Sequence, residues 1–135
     1  MIVDSSALVA IVREESDASV FLAALRTAER PPRIAAPTLV ETSVVVDGSR
    51  VRAGRRLDEL VFEANLEVVP FDEEMARIAR AAYRDFGRGS GHPANLNLGD
   101  CFSYALAVVT GEPLLYKGDD FSRTDVRSAS PEVQS

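Results

Sequence analysis

Four short apolar runs, Ile2-Val3, Arg33 to Ala36, Leu66 to Val69 and Leu114 to Tyr116, are spread along 135 residues and separated by stretches of helical spacing. Strands joined through helices are joined by crossovers, and crossovers make neighbouring strands parallel and bury them on both faces. That alternation predicts an α/β protein, a short-stranded parallel sheet between two layers of helices. In such sheets ligands gather outside the carboxyl ends of the strands.

Ala7, Leu8, Ile11 and Val12 give the first helix, after an Asp4-Ser5-Ser6 turn with a capping serine. Pro37 and Thr38 open a second helix through about Asp47, and Gly48 and Gly54 break the next stretch into two helical pieces. The later piece carries Leu57, Leu60, Val61 and Ala64 on one face. Asp72 caps a helix with Met75, Ile78, Ala79 and Ala82 as its buried stripe. Gly87 to Pro93 reads as a loop. Asn97 starts a helix carrying Leu98, Phe102, Ala105, Leu106 and Val109, stopped by Gly111. The pattern fits one domain over residues 1–126 and a polar tail over residues 127–135.

Hydrophobic residues make up 46% of the chain, enough for a core that needs neither disulfides nor a structural metal. Cys101 is the single cysteine and His92 the single histidine, which excludes an internal disulfide and a Cys/His zinc site and makes a reducing cytoplasm the expected compartment. A Cys101–His92 nucleophile pair is disfavoured by the glycine-rich setting of His92. Met1 to Val12 lacks the basic start of a signal peptide and the length of a membrane span. With 21 acidic and 15 basic residues the formal net charge is −6, which argues against indiscriminate coating of nucleic acid.

The acids fall at chosen places. Asp4 ends the first strand, Glu41 lies in the first turn of the helix after the second, Asp100 lies in the first turn of the Leu98 helix, and Asp119-Asp120 come after the fourth strand. Parallel strands bring these places to one edge of the sheet. Carboxylates gathered there raise one another's pKa unless a cation lies between them. An oxygen-only set without histidine selects a hard ion, Mg²⁺ or Mn²⁺, suited to metal-assisted phosphoryl chemistry. Each acid also has a structural explanation: Glu41 in a capping box with Thr38, Asp100 at a helix start behind Asn97, Asp119-Asp120 as turn residues. Asp4 is the hardest to explain that way, because an acid at the end of a buried strand is costly unless partnered.

Several segments together resemble a VapC toxin of the PIN-domain ribonuclease family: Met1-Ile2-Val3-Asp4-Ser5-Ser6-Ala7, Glu41 after Pro37, Asn95 to Ala105 around Asp100, and Leu114 to Phe121 with its Gly-Asp-Asp-Phe ending. The resemblance runs from Met1 to about Val126. It implies a PIN fold and an Mg²⁺- or Mn²⁺-dependent endoribonuclease that cuts single-stranded or looped RNA with a metal-activated water. Asp4 and Asp100 then correspond to metal ligands, Glu41 to a third acid acting directly or through water, Asp120 to the fourth acid with Asp119 as the alternative, and Ser6 to a supporting hydroxyl beside the first acid. It also implies a homodimer in the cytoplasm, held inactive by a VapB-type antitoxin.

Arg77, Arg80, Arg84 and Arg88 recur at helical spacing, and Arg52, Arg55 and Arg56 form a second cluster. Arginine suits phosphate, so Arg77, Arg80 and Arg84 are candidates for the RNA backbone, although Glu73 and Glu74 at helical-pair spacing, with Asp85 nearby, fit them better to an ordinary solvated face. Two rival readings remain: a receiver-like phosphoacceptor domain with Lys117 as its lysine, and a catalytically inactive PIN-like module acting only through a partner.

Overall fold

The computed structural model describes residues 1–49 and 51–130. The chain forms β1 (Ile2–Val3), α1 (Ser5–Val12), α2 (Ala18–Arg26), β2 (Arg33–Ala35), α3 (Ala36–Asp47), α4 (Val51–Glu63), β3 (Glu67–Val69), α5 (Glu73–Phe86), α6 (Leu98–Thr110) and β4 (Leu114–Leu115), then a 3₁₀ turn at Phe121–Arg123. The four strands pair in parallel in the order β3-β2-β1-β4.

Strand side chains alternate between two cores. Ile2, Ala35 and Leu114 face the cluster built with Met75, Ala79 and Ala82 of α5 and Cys101, Ala105 and Leu106 of α6. Val3, Ile34 and Leu115 face the cluster of Leu8 from α1, Phe21 and Leu25 from α2, and Leu57 and Leu60 from α4. The result is the three-layer α/β/α arrangement that the alternation of short runs and helices predicts. β3 is the exposed edge of the sheet, with Val68 42% accessible.

Four local expectations are corrected. The cap of α1 is Asp4, whose carboxylate accepts from the Ser6 amide, and not a serine. Gly54 lies inside α4 rather than breaking it; a Cβ there would come within 2.4 Å of the Asp47 carboxylate at the end of α3, so glycine serves close approach. Leu98 is 59% exposed and does not join the buried face of α6. α2, between Asp17 and Thr27, has no counterpart among the sequence expectations. Of the tail expected from residue 127, the Arg127 carbonyl accepts from the Leu114 amide and the Ala129 amide donates to the Leu114 carbonyl, both at 2.8 Å. Residues 131–135 lie outside the described residues. No helix among the described residues is long and apolar enough to cross a membrane.

Candidate active site

β1 lies between β2 and β4, so the sequence order of the strands reverses beside it, where an open α/β sheet leaves a crevice at its carboxyl edge. Asp4 stands there, 1% exposed. A buried carboxylate needs donors, and it has three: the Ser6 amide at 3.0 Å, the Ser6 hydroxyl at 2.6 Å, and the Ser103 hydroxyl of α6 at 2.5 Å. The Ser6 hydroxyl in turn accepts from the Lys117 amide at 2.9 Å, which ties β1 to the segment after β4. Behind Ser103 the Thr38 hydroxyl of α3 lies 3.4 Å away, so a buried row of hydroxyls backs Asp4.

Glu41 is in the second turn of α3, which begins at Ala36, rather than the first. It forms no capping box: Thr38 is buried within the helix, and one Glu41 oxygen accepts from the Ser5 hydroxyl at 3.0 Å. Burial pushes the Glu41 carboxyl above its usual range; the Ser5 bond opposes this and the charge of Asp4 adds to it.

Asp100 has the structural role that its position suggests. Its carboxylate accepts from the Asn97 amide at 3.0 Å while the Asn97 side chain accepts from the Asp100 amide at 2.8 Å, a complete capping box for α6. Burial nevertheless pushes its pKa up to about 7; the Asn97 bond pulls it down, and the charges of Asp4, Asp120 and Glu41 push it further up. Asp100 therefore feels three acids from separate parts of the chain, and Glu41 feels Asp4. Asp120 belongs to this group by its charge, and its side chain makes no capping bond to the 3₁₀ turn that it precedes. Both aspartates are exposed, but Asp119 does not figure among the charges felt by Asp100, and its carbonyl closes a turn to Ser122.

The donor set is all oxygen, as a hard cation requires. Among the described residues no group of three acids forms a ready-made ligand cage. A set that is spread in this way fits Mg²⁺, which keeps several of its waters and takes only one or two carboxylates directly.

Sequence reasoning missed Ser103 and Ser5 as partners of the acids. A serine inside an apolar helix, six residues after Asn97, is the signal that could have found Ser103, which is fully buried.

The arginine candidates lie apart from this edge in their bonding. Arg77 pairs with Glu73 at 2.5 Å and Arg84 with Asp85 at 3.0 Å, both exposed, while Arg80 is exposed with no ion pair among the described residues. Arg88 falls beyond the end of α5 and so is not on its face. Arg52 and Arg56 line a cavity of about 610 Å³ with Arg13, Glu14 and Ser49 at the other end of α1, which takes in none of the four acids. Cys101 is fully buried and its thiol is pushed up to about 11 by burial, while His92 Nδ1 accepts from the Ala94 amide, so the two form no nucleophile pair. Lys117 Nζ is bound by Glu15 at 2.6 Å and Asp17 at 3.1 Å, which removes the lysine that a receiver domain would need at its acidic pocket.

This architecture, a parallel sheet with four acids at its carboxyl edge, matches a family model described as PIN domain over residues 1–127. VapC ribonuclease Mb0625 of Mycobacterium bovis is 53% identical over 130 residues, covering 96% of this chain and 97% of that protein. Ribonuclease VapC30 of Mycobacterium tuberculosis is 41% identical over 131 residues, covering 96% and 98%. Among solved structures, Mycobacterium tuberculosis VapC20, described as a Sarcin-Ricin loop cleaving toxin, shares the fold with a TM-score of 0.75 at 15% identity, covering 96% of this chain and 98% of that one. A toxin-antitoxin complex from Klebsiella pneumoniae gives a TM-score of 0.66 at 16% identity over 90% of this chain and 89% of that one. The chain belongs to the PIN-domain family and, within it, to the VapC ribonucleases. The receiver reading falls with that membership.

Proposed function

We propose that this protein is a metal-dependent endoribonuclease toxin of a VapBC-type pair, which cleaves RNA in the cytoplasm and so inhibits translation and growth. The observation that carries the reading is the convergence on Asp100 of Asp4, Glu41 and Asp120, whose charges add to burial in pushing its carboxyl up to about 7. Acids brought together against their own repulsion are stabilised by a cation. Asp4 and Asp100 would hold Mg²⁺ or Mn²⁺ directly, with Glu41 and Asp120 acting directly or through water. The ion, when bound, supplies Lewis-acid stabilisation of charge on the phosphate and lowers the pKa of water. The chain's own part is preorganisation. Ser6 and Ser103 fix both oxygens of Asp4, Ser5 orients Glu41, and the Asn97 capping box aims Asp100.

A VapB-type antitoxin that brings positive charge to this edge would silence the site by the same electrostatics that favour the ion. Arg77, Arg80 and Arg84 are offered as contacts to the RNA backbone, with Arg80, which has no ion pair among the described residues, as the strongest of the three. A homodimer is proposed through the exposed apolar side chains of Val40 and Val44 on α3 and Leu98 at the start of α6.

Purified protein incubated with a structured RNA tests the reading. Cleavage is expected with Mg²⁺ or Mn²⁺ and none with excess chelator, and Asp100→Asn should lower the rate on the order of a hundredfold or more. Full activity in Asp100→Asn would defeat the site assignment.

A further inference from the structure

Gly99 is buried and immediately precedes Asp100 in the first turn of α6. A Cβ built on it would lie 1.7 Å from Glu41 Oε2, 2.5 Å from its Cδ and 2.7 Å from Oε1. The three heavy atoms nearest to that point all belong to the Glu41 carboxyl group. Such distances are well inside van der Waals contact, so any side chain at residue 99 must push α3 and α6 apart or swing the carboxylate, the end of a flexible side chain, off its bond to Ser5. Gly99 does not have a positive φ, and it interrupts an otherwise helix-favouring stretch, so backbone freedom does not explain it. Space for Glu41 does. On the other side of the same carboxylate Oε1 accepts from Ser5, so Glu41 is seated between a hydroxyl of α1 and the bare backbone of α6.

We propose that Gly99 is a positioning residue: its missing side chain forms the seat that fixes the Glu41 carboxylate at the acidic edge, next to Asp100. This rests on the reading of Glu41 as part of the nuclease site. It also gives α6 two roles, since one turn of the helix delivers Asp100 and shapes the place of Glu41.

The test is a cycle of four proteins, the wild type, Gly99→Ala, Glu41→Ala and the double variant, each measured by thermal melting without metal, by Mn²⁺ binding and by cleavage of a structured RNA. Ala is the better helix former, so without the collision Gly99→Ala would hold or raise the melting temperature. With Glu41 present, Gly99→Ala should lower the melting temperature by about 2 °C or more and reduce cleavage at least about tenfold, as misplacement of a site group does. In the Glu41→Ala background the same substitution should cost no melting temperature and no further cleavage. An equal melting loss in both backgrounds, or wild-type melting and cleavage in Gly99→Ala, would overturn the proposal. If Glu41→Ala cleaves RNA as the wild type does, the nuclease role of Glu41 fails, while the melting cycle still decides whether Gly99 seats its carboxylate.

Discussion

Asp100 shows how one residue can satisfy a structural rule and still stand among distant acids. Its position three residues after Asn97 is legible as a helix start, and the capping box is there. What a linear sequence does not carry is the distance in space between Asp100 and the acids Asp4 and Glu41, far away along the chain, which helps to decide its titration. The unfolded carboxyl titrates near 3.9, whereas in the folded protein the value is about 7. A raised carboxyl keeps its proton in the folded state over the interval where the unfolded chain has lost it. Its contribution to stability is therefore complete below pH about 4 and is lost as the pH rises to about 7. Melting of metal-free protein at pH 5, 6 and 7.5 should show Asp100→Asn gaining on the wild type as the pH rises, and a pH-independent difference would sink the assignment. Added Mg²⁺ should recover more melting temperature at pH 7.5 than at pH 5, because it favours the charged form. The fourth acid is ambiguous in sequence between two adjacent aspartates; by its charge Asp120 is the one that reaches Asp100. Asp120→Asn is accordingly expected to weaken Mn²⁺ binding and cleavage severalfold more than Asp119→Asn, with equal effects counting against the choice.

Among the elements, those with both a start signal and an apolar stripe are readable from sequence: α5 behind Asp72, and α6 between Asn97 and the left-handed Gly111. α2 is not, because Asp17 makes no side-chain capping bond and only Phe21 and Leu25 of its nine residues are buried. Gly54 misleads because a glycine reads as a break, whereas here it lets α4 approach the Asp47 end of α3. Glu41 reads as one turn too early because Thr38-Leu39-Val40-Glu41 imitates a capping box, while the helix begins at Ala36 with proline in its first turn. The element that matters most to the site is the start of α6. Asn97→Ala removes its cap and should cost about 1 kcal/mol of stability. The Asn97 amide that donates to the Asp100 carboxylate stays in this variant, and what is lost is the side chain that accepts from the Asp100 amide, so Mn²⁺ binding should weaken as far as the helix start frays. Unchanged metal affinity in a folded Asn97→Ala variant would separate the cap from the site.

For the whole molecule, four short runs make a layered parallel sheet legible, but not the order of its strands, because pairing is set by side-chain packing across the sheet rather than along the chain. The exposed surface is equally hidden: Val40 and Val44, 63% and 67% accessible, stand one helical turn apart on α3, a pattern that alone reads as core. If a second copy covers them, light scattering after gel filtration should give twice the chain mass, and Val44→Asp should shift it toward the monomer. An unchanged mass would exclude that face as the contact. The alternation of strand residues between two cores has a consequence for how such a chain can change length. Deleting a single residue before Asp4 would exchange the cores served by Ile2 and Val3 and move the acid off its edge, so insertions and deletions there are excluded by packing and by chemistry at once. Residues 88–95, by contrast, leave and re-enter through the paired Gly87 and Leu96, so their two ends stay together while the exposed residues before the buried Ala94 change. Doubling that loop costs only about 0.6 kcal/mol. Descendants of this chain can vary what they reach toward next to α6 while the acids stay where they are.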